Sequence, residues 1–227
     1  MLLPIFCRAL ALEDAAGTIC VQLSVELLGV SNEMVAEVAT AVGASHGVAP
    51  AAVRITATHT HSAPSLTNVY CGCCDCGWIT LNPRPEDTSR EQGKADIAEY
   101  TEHATTLLIQ AARAALDQLD GPVILSHSVA RCNIAVNRRN NVEKEVEKMS
   151  DAGTLDKSQL TGPFDHDVEI LVVRKAGTVL AVCFGYSCHA TVMGEQTLHG
   201  DWPGVAMANI EAEASSSLVA LHINGCR

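Results

Sequence analysis

The amino-acid sequence predicts an α/β protein: a mixed β-sheet whose strands pair as hairpins and are covered by helices, within a single domain. Three observations predict it. Short apolar runs bounded by Gly, Asp and Pro alternate with stretches whose apolar residues recur every three to four positions. Two pairs of these runs are separated by only a few turn-forming residues, which is hairpin spacing. The composition, 48% hydrophobic and 18% charged over 227 residues, suits a globular chain with one sizeable core.

Taken in order, residues 5 to 12 and 18 to 26 are apolar runs joined by Glu13-Asp-Ala-Ala-Gly17, and they read as a hairpin of buried strands. The first run lacks a basic leading segment and is interrupted by Arg8, so it reads as a strand and not as a signal peptide. Ser31 opens a helical pattern with Met34, Val35, Val38 and Val42 on one face and Gly47 near its end. Val53 to Thr58 is the next strand. A loop rich in Cys, Gly and Pro (about 62 to 92) then precedes a long amphipathic helix from about Gly93 to Leu119, its apolar side carrying Ile97, Leu107, Leu108, Ala111 and Leu116.

Val123 to Ala135 returns as a strand. The charged segment from about 140 to 165 reads as an excursion over the surface, helical around Val142 to Met149 and placed to act as a lid. Val168 to Val173 and Val179 to Tyr186 form a second hairpin around Lys175-Ala-Gly177, followed by a short helix from about Trp202 to Ala214 and a last strand at Leu218 to Ile223.

The net charge of −11, from 15 basic and 26 acidic residues without any basic cluster, argues against nucleic acid as a partner. No stretch reaches the roughly 20 apolar residues of a membrane-spanning helix, which leaves at most peripheral contact with a bilayer. Of the ten cysteines, Cys20, Cys132 and Cys183 stand singly in apolar runs, where a free thiol behaves as a small hydrophobe.

Chemistry concentrates where strands end. Thr56-Ala-Thr-His-Thr-His-Ser62 delivers His59 and His61 where a strand meets a loop, and strand alternation points both to the same face. Two such imidazoles are raw material for a divalent-metal site, zinc above all, or else one is a hydrogen-bonded core residue and the other faces solvent. Tyr186-Ser-Cys-His-Ala-Thr191 repeats the setting with His189, and ligands collect where strand ends diverge in open α/β sheets. Asn133-Ile-Ala-Val-Asn-Arg-Arg139 offers a cation for a carbonyl or oxyanion, or simply a surface arginine pair. In His199-Gly-Asp-Trp-Pro-Gly204, Asp201 reads as a helix cap with Pro203 early in the helix, or as a support for a metal-binding histidine. Cys71-Gly-Cys-Cys-Asp-Cys76 could hold zinc or copper through its thiolates, although it lacks paired Cys-x-x-Cys halves.

Together and in this order, Thr58-His-Thr-His-Ser-Ala-Pro64, Asn137-Arg138, Cys188-His-Ala-Thr191 and Gly200-Asp-Trp-Pro-Gly204 resemble motifs of the neutral/alkaline non-lysosomal ceramidase family, in its N-terminal catalytic domain. Arg8-Ala-Leu-Ala-Leu12 and Ser24-Val-Glu-Leu-Leu-Gly29 look like that family's early strand pair. Leu221-His-Ile-Asn-Gly225 looks like the strand entering its Gly-Asp-Val-Ser-Pro-Asn hexapeptide.

The resemblance implies a zinc-dependent amidase that cleaves N-acylsphingosine, or another lipid-like N-acyl amide, to a free amine and a fatty acid through a metal-activated water. Carried over residue by residue, His59 and His189 would be zinc ligands, while His61 and Arg138 would contact the substrate or the developing oxyanion. The family's remaining ligands, a Glu and a Tyr, fall beyond residue 227, so weak metal binding and little turnover are expected of these residues alone. A secreted or cell-surface location is also implied. The competing expectation is a non-catalytic ceramidase-like domain that binds a lipid or a partner.

Overall fold

The computed structural model describes residues 4–67, 69, 89–137, 140–141, 145–146, 148, 152–153, 156–193, 197–214 and 218–225. Strands β1 (Cys7–Glu13) and β2 (Ile19–Val25) form the first hairpin, with Cys7 opposite Val25 and Glu13 opposite Ile19. Its turn is closed by Asp14, whose Oδ1 accepts the amides of Ala16 and Thr18, while Gly17 adopts φ 81°.

Helix α1 (Asn32–His46) starts where the sequence signals it. The Ser31 hydroxyl accepts the Met34 amide at 3.2 Å, and Gly47, at φ 68°, returns its N–H to Gly43 O. Met34, Val38, Ala39 and Val42 are the buried face. The chain then comes back as β3 (Val53–Ala57), parallel to β2 with Val21 opposite Val53, so that α1 is the crossover of a β-α-β unit.

Helix α2 (Ser89–Asp117) packs on β1, β2 and α1 through Ala104, Leu108, Ala112 and Leu116, a row at intervals of four. Leu107 does not share this face: one residue from Leu108 it is turned about 100° around the helix, and it is 44% exposed. That corrects its placement from the sequence pattern.

The second sheet repeats the plan. Strand β4 (Ile124–Arg131) pairs with β5 (Asp167–Lys175), and β5 turns into β6 (Thr178–Tyr186) through Ala176 and Gly177. Both turn residues have positive φ, 48° and 86°, as the tightest hairpin turns require. Helix α3 (Asp201–Glu213) then crosses over to β7 (Val219–Asn224), parallel to β6. Within the 140–165 excursion Glu145, Val146 and Lys148 are helical, in line with the sequence pattern.

The α/β class with mixed, helix-covered sheets is therefore observed. Among the described residues the strands divide between two sheets, ordered β1-β2-β3 and β4-β5-β6-β7, where the sequence reading had one. Alternation along β1 explains the stacking. Ala9 and Ala11 face the helices α1 and α2, while Leu10 and Leu12 meet Val173, Ala181, Cys183 and Leu221 of the second sheet. On the other face of that sheet, Phe184 and Ala220 pack on Met207 and Ala206 of α3. The layers run helices, sheet, sheet, helix, and each fully buried leucine contributes about 1.5–3 kcal/mol of transfer free energy.

Polar bonds tie the two halves together. Ser24 Oγ donates to His222 O at 2.7 Å, joining β2 to β7. Arg8 on β1 binds Glu26 Oε1 at 2.5 Å and both carboxylate oxygens of Glu211 on α3, at 2.7 and 3.0 Å. Glu26 is 2% exposed, and this burial pushes its carboxyl above the ordinary glutamate range against the pull of Arg8.

Candidate metal centre

The parallel pairing of β2 and β3 continues past the strand ends. Thr58 donates its N–H to Val25 O at 2.9 Å and His59 donates to Leu27 O at 3.0 Å. His59 is thereby held at φ 68°, a left-handed conformation that costs a residue with a side chain about 1–2 kcal/mol. Its ring is fixed as well. Nδ1 lies 2.7 Å from Leu28 O, and because a carbonyl only accepts, the proton sits on Nδ1 and Nε2 is the unprotonated nitrogen.

His61 and His189 complete a cluster. Their Nε2 atoms are 3.0 Å apart, and the ring centroids of the three histidines lie 4.9, 4.9 and 5.0 Å from one another. One nitrogen from each falls within 4.8 Å of the others. Two imidazoles on one tetrahedral zinc have nitrogens about 3.3 Å apart, given Zn–N bonds of about 2.0–2.1 Å. The observed spacing is thus near what a cation requires, and the fixed Nδ1 proton of His59 is the support that metal-binding imidazoles usually have. The donor set fits a borderline-soft divalent ion such as zinc.

Strand alternation, the reason the sequence offers for the meeting of His59 and His61, is not what joins them. The strand ends at Ala57, and the rings meet because the chain turns through the left-handed His59. The result also adds a nitrogen: three imidazoles converge where zinc ligation was expected of His59 and His189 alone. Cys188, beside His189, is kept as a thiol, since burial raises its pKa and the nearby negative charge of Asp201 adds to the rise.

His189 follows β6 at the same end of the molecule at which His59 follows β3. Trp202 Nε1 donates to His189 O at 3.2 Å, and the Tyr186 ring meets Trp202 edge-on with centroids 5.9 Å apart. The Tyr186 hydroxyl donates to Cys132 O at 2.6 Å and accepts the amides of Ile134 and Ala135, so it leads the chain from β4 toward Asn137 at this end. Asn137 is held by Pro163 O and Asn140 N. Arg138 and the Cys71–Cys76 cluster lie outside the described residues.

Asp201 is not the helix cap that its sequence setting suggested. Gly200 occupies the cap position without a side-chain bond, and Asp201 is the first helical residue, at φ 54° and 1% exposed. Its carboxylate accepts the amides of Val192, Met193 and Trp202. Tyr186, Trp202 and Thr60 were not singled out from sequence as site residues. Nearness to His189 and His59 was their only signal.

No protein-family model and no curated protein sequence matches this chain. Solved structures do. A neutral ceramidase from Pseudomonas aeruginosa superposes with a TM-score of 0.70 at 19% identity, over 96% of this chain and 32% of its own length. A ceramidase complexed with C2 superposes with a TM-score of 0.68 at 19% identity, over 96% of this chain and 31% of its own length. The chain thus carries a ceramidase-like fold and spans about a third of the length of these structures, 31% and 32%.

Proposed function

We propose that this chain forms part of the active site of a zinc-dependent hydrolase that cleaves N-acylsphingosines to a sphingoid base and a fatty acid. The carrying observation is the convergence of His59, His61 and His189 at one set of strand ends, with the His59 Nδ1 proton engaged by Leu28 O. Strand carboxyl ends are where open α/β sheets place their ligands. The structural neighbours that bear the ceramidase name support the reaction class.

In this reading His59 and His189 hold the ion. Zinc bound there would supply Lewis acidity, polarising the amide carbonyl and lowering the pKa of a water to about 7. The chain's own residues do the rest. Leu28 O keeps the His59 proton on Nδ1. His61, whose Nε2 lies 3.0 Å from His189 Nε2, is the group we assign to the substrate side, donating a proton to the oxygen on which negative charge develops. Arg138 adds a fixed positive charge to that oxygen.

The exposed apolar residues Ile134, Val192 and Met193, at 60, 69 and 44%, lie on segments tied to Tyr186 and Asp201 and suit contact with acyl or sphingoid chains or a bilayer surface. Among the described residues no helix is long and apolar enough to cross a membrane.

Zinc stoichiometry and hydrolysis of N-acyl amides, measured on the same preparations, test the proposal. One weakly held zinc per chain, with low basal turnover, is expected of these residues alone. It is lost in His59→Ala and His189→Ala but retained when Cys73 and Cys76 become serine, and His61→Ala keeps the metal while turnover falls on the order of 10²-fold or more. Long-chain N-acylsphingosines should be preferred substrates. Zinc that follows the cysteines, or a preference for short polar acyl groups, would refute the reading.

A further inference from the structure

The two histidine-bearing segments come from different sheets, and one turn touches both. His199, 3% exposed, donates its N–H to Ser62 O at 3.0 Å and accepts the Thr60 hydroxyl on its carbonyl at 2.9 Å. Thr60 is fully buried between His59 and His61, and its Oγ1 also accepts the Ser62 amide. Two residues on, the Asp201 carboxylate gathers the amides of Val192 at 3.2 Å, Met193 at 3.0 Å and Trp202 at 2.6 Å. Trp202 Nε1 holds His189 O. His199 and Asp201 are themselves joined, since the Asp201 N–H donates to His199 Nδ1 at 3.1 Å.

Asp201 bears two costs at once. A buried carboxylate needs hydrogen bonds to replace its water, and a left-handed φ at a residue with a side chain is strained. Gly200 stands at the cap without a side-chain bond, and of the amides the Asp201 carboxylate accepts only that of Trp202 belongs to α3. What the strained geometry achieves is to aim the carboxylate back at the segment that follows His189. The turn is also fixed from behind, where Gly200 and Gly204 press on Glu26 so closely that a Cβ on Gly200 would lie within 2.6 Å of the carboxyl carbon.

We infer that the turn from His199 to Trp202, centred on Asp201, is a positioning clamp that sets the spacing of the imidazoles of His59, His61 and His189. The inference rests on the reading of these imidazoles as a metal site for its functional meaning, and on hydrogen bonds alone for its geometry. Asp201 touches no reacting atom in this scheme. It acts through the backbone of residues 192–193, and Trp202 acts through the carbonyl of His189.

The test uses the whole chain with Asp201→Asn and Trp202→Phe. Asparagine turns one acceptor oxygen into a donor facing a backbone N–H, and phenylalanine keeps the ring but removes the bond to His189 O. In the metal-free protein, nitrogen NMR of the imidazoles should show the His189 and His61 ring signals shifted or broadened in both variants, with those of His46 and His127 unmoved. Titration with Co(II) alone should show affinity about 10- to 100-fold weaker for Asp201→Asn and a changed visible spectrum of the bound ion. Trp202→Phe should move both readouts in the same direction by less, and it carries the test if Asp201→Asn does not fold.

A lower melting temperature with unchanged ring signals and an unchanged Co(II) spectrum would overturn the clamp in favour of a merely structural role. A wild-type chain that binds no Co(II), while its His189 signals still respond to Asp201→Asn, would leave the clamp standing and remove the metal reading.

Discussion

Substitution of Gly200 by alanine exposes how tightly the site is braced. The added Cβ would overlap Glu26 Oε2 and lie 2.6 Å from Glu26 Cδ and 2.9 Å from Gly204 Cα, all well inside contact distance. Glu26 has nowhere to retreat, being 2% exposed with Oε1 held at 2.5 Å by Arg8, while Gly204 lines its other side. Overpacking a filled site costs about 1–3 kcal/mol, and displacing Glu26 also strains a buried ion pair whose full disruption costs about 3–5 kcal/mol. Gly200→Ala should therefore lose about 2–4 kcal/mol, or about 4–16 °C in melting temperature for a chain of this size.

Urea unfolding followed by circular dichroism measures it. Gly47→Ala is the internal comparison. Gly47 sits at φ 68° with open space around it, so only backbone strain of about 1–2 kcal/mol is expected there. The decisive arm is the double variant: in a Glu26→Ala background most of the Gly200→Ala cost should vanish, giving a coupling of about 2 kcal/mol. A single-variant loss below about 0.5 kcal/mol, or a cost undiminished without Glu26, would refute the steric reasoning.

The raised carboxyl of Glu26 predicts a pH signature. A folded-state pKa above the ordinary 4.5 means that the native protein binds this proton more tightly than the unfolded chain does. Wild-type stability should thus fall relative to Glu26→Gln as pH rises from about 4.5 through the raised value, which urea midpoints across pH will show. A difference running the other way contradicts it. Thiol reactivity follows burial: Cys7 and Cys183 are pushed up to about 12 and about 11, whereas Cys20 is exposed. Iodoacetamide at neutral pH should label Cys20 well before either, as peptide mass mapping will register.

How much was legible in the sequence depended on whether the signal was local. Ser31 and Gly47 bracket α1, and Ala176-Gly177 turns the second hairpin, because caps and tight turns act through neighbouring atoms. The split into two sheets was not legible. Apolar runs show that strands exist but not whether β7 joins β6 or β3, and that choice is made by the stacking of Leu10 and Leu12 against Val173 and Leu221.

At the site, the histidines stood out by residue type and position at strand ends. For Asp201 the sequence leaves a cap and a support for a histidine both open, because a Gly-Asp-x-Pro start resembles a capped helix, and only the loop packed above it shows where the carboxylate points. Thr60 gave no signal beyond its place between two histidines, since a buried threonine that braces two turns looks in sequence like any strand threonine.

The placement of the three imidazoles across the seam of the sandwich would make folding and metal occupancy one linked equilibrium. His59 and His61 hang from the first sheet and His189 from the second, so an ion held, as proposed, by His59 and His189 would be a removable cross-link between sheets. At a free concentration one hundred times its dissociation constant, such a ligand adds about 2.7 kcal/mol to the native state. With such an ion bound, the melting temperature would become a gauge of metal supply, and a chelator would act as a denaturant directed at a single seam.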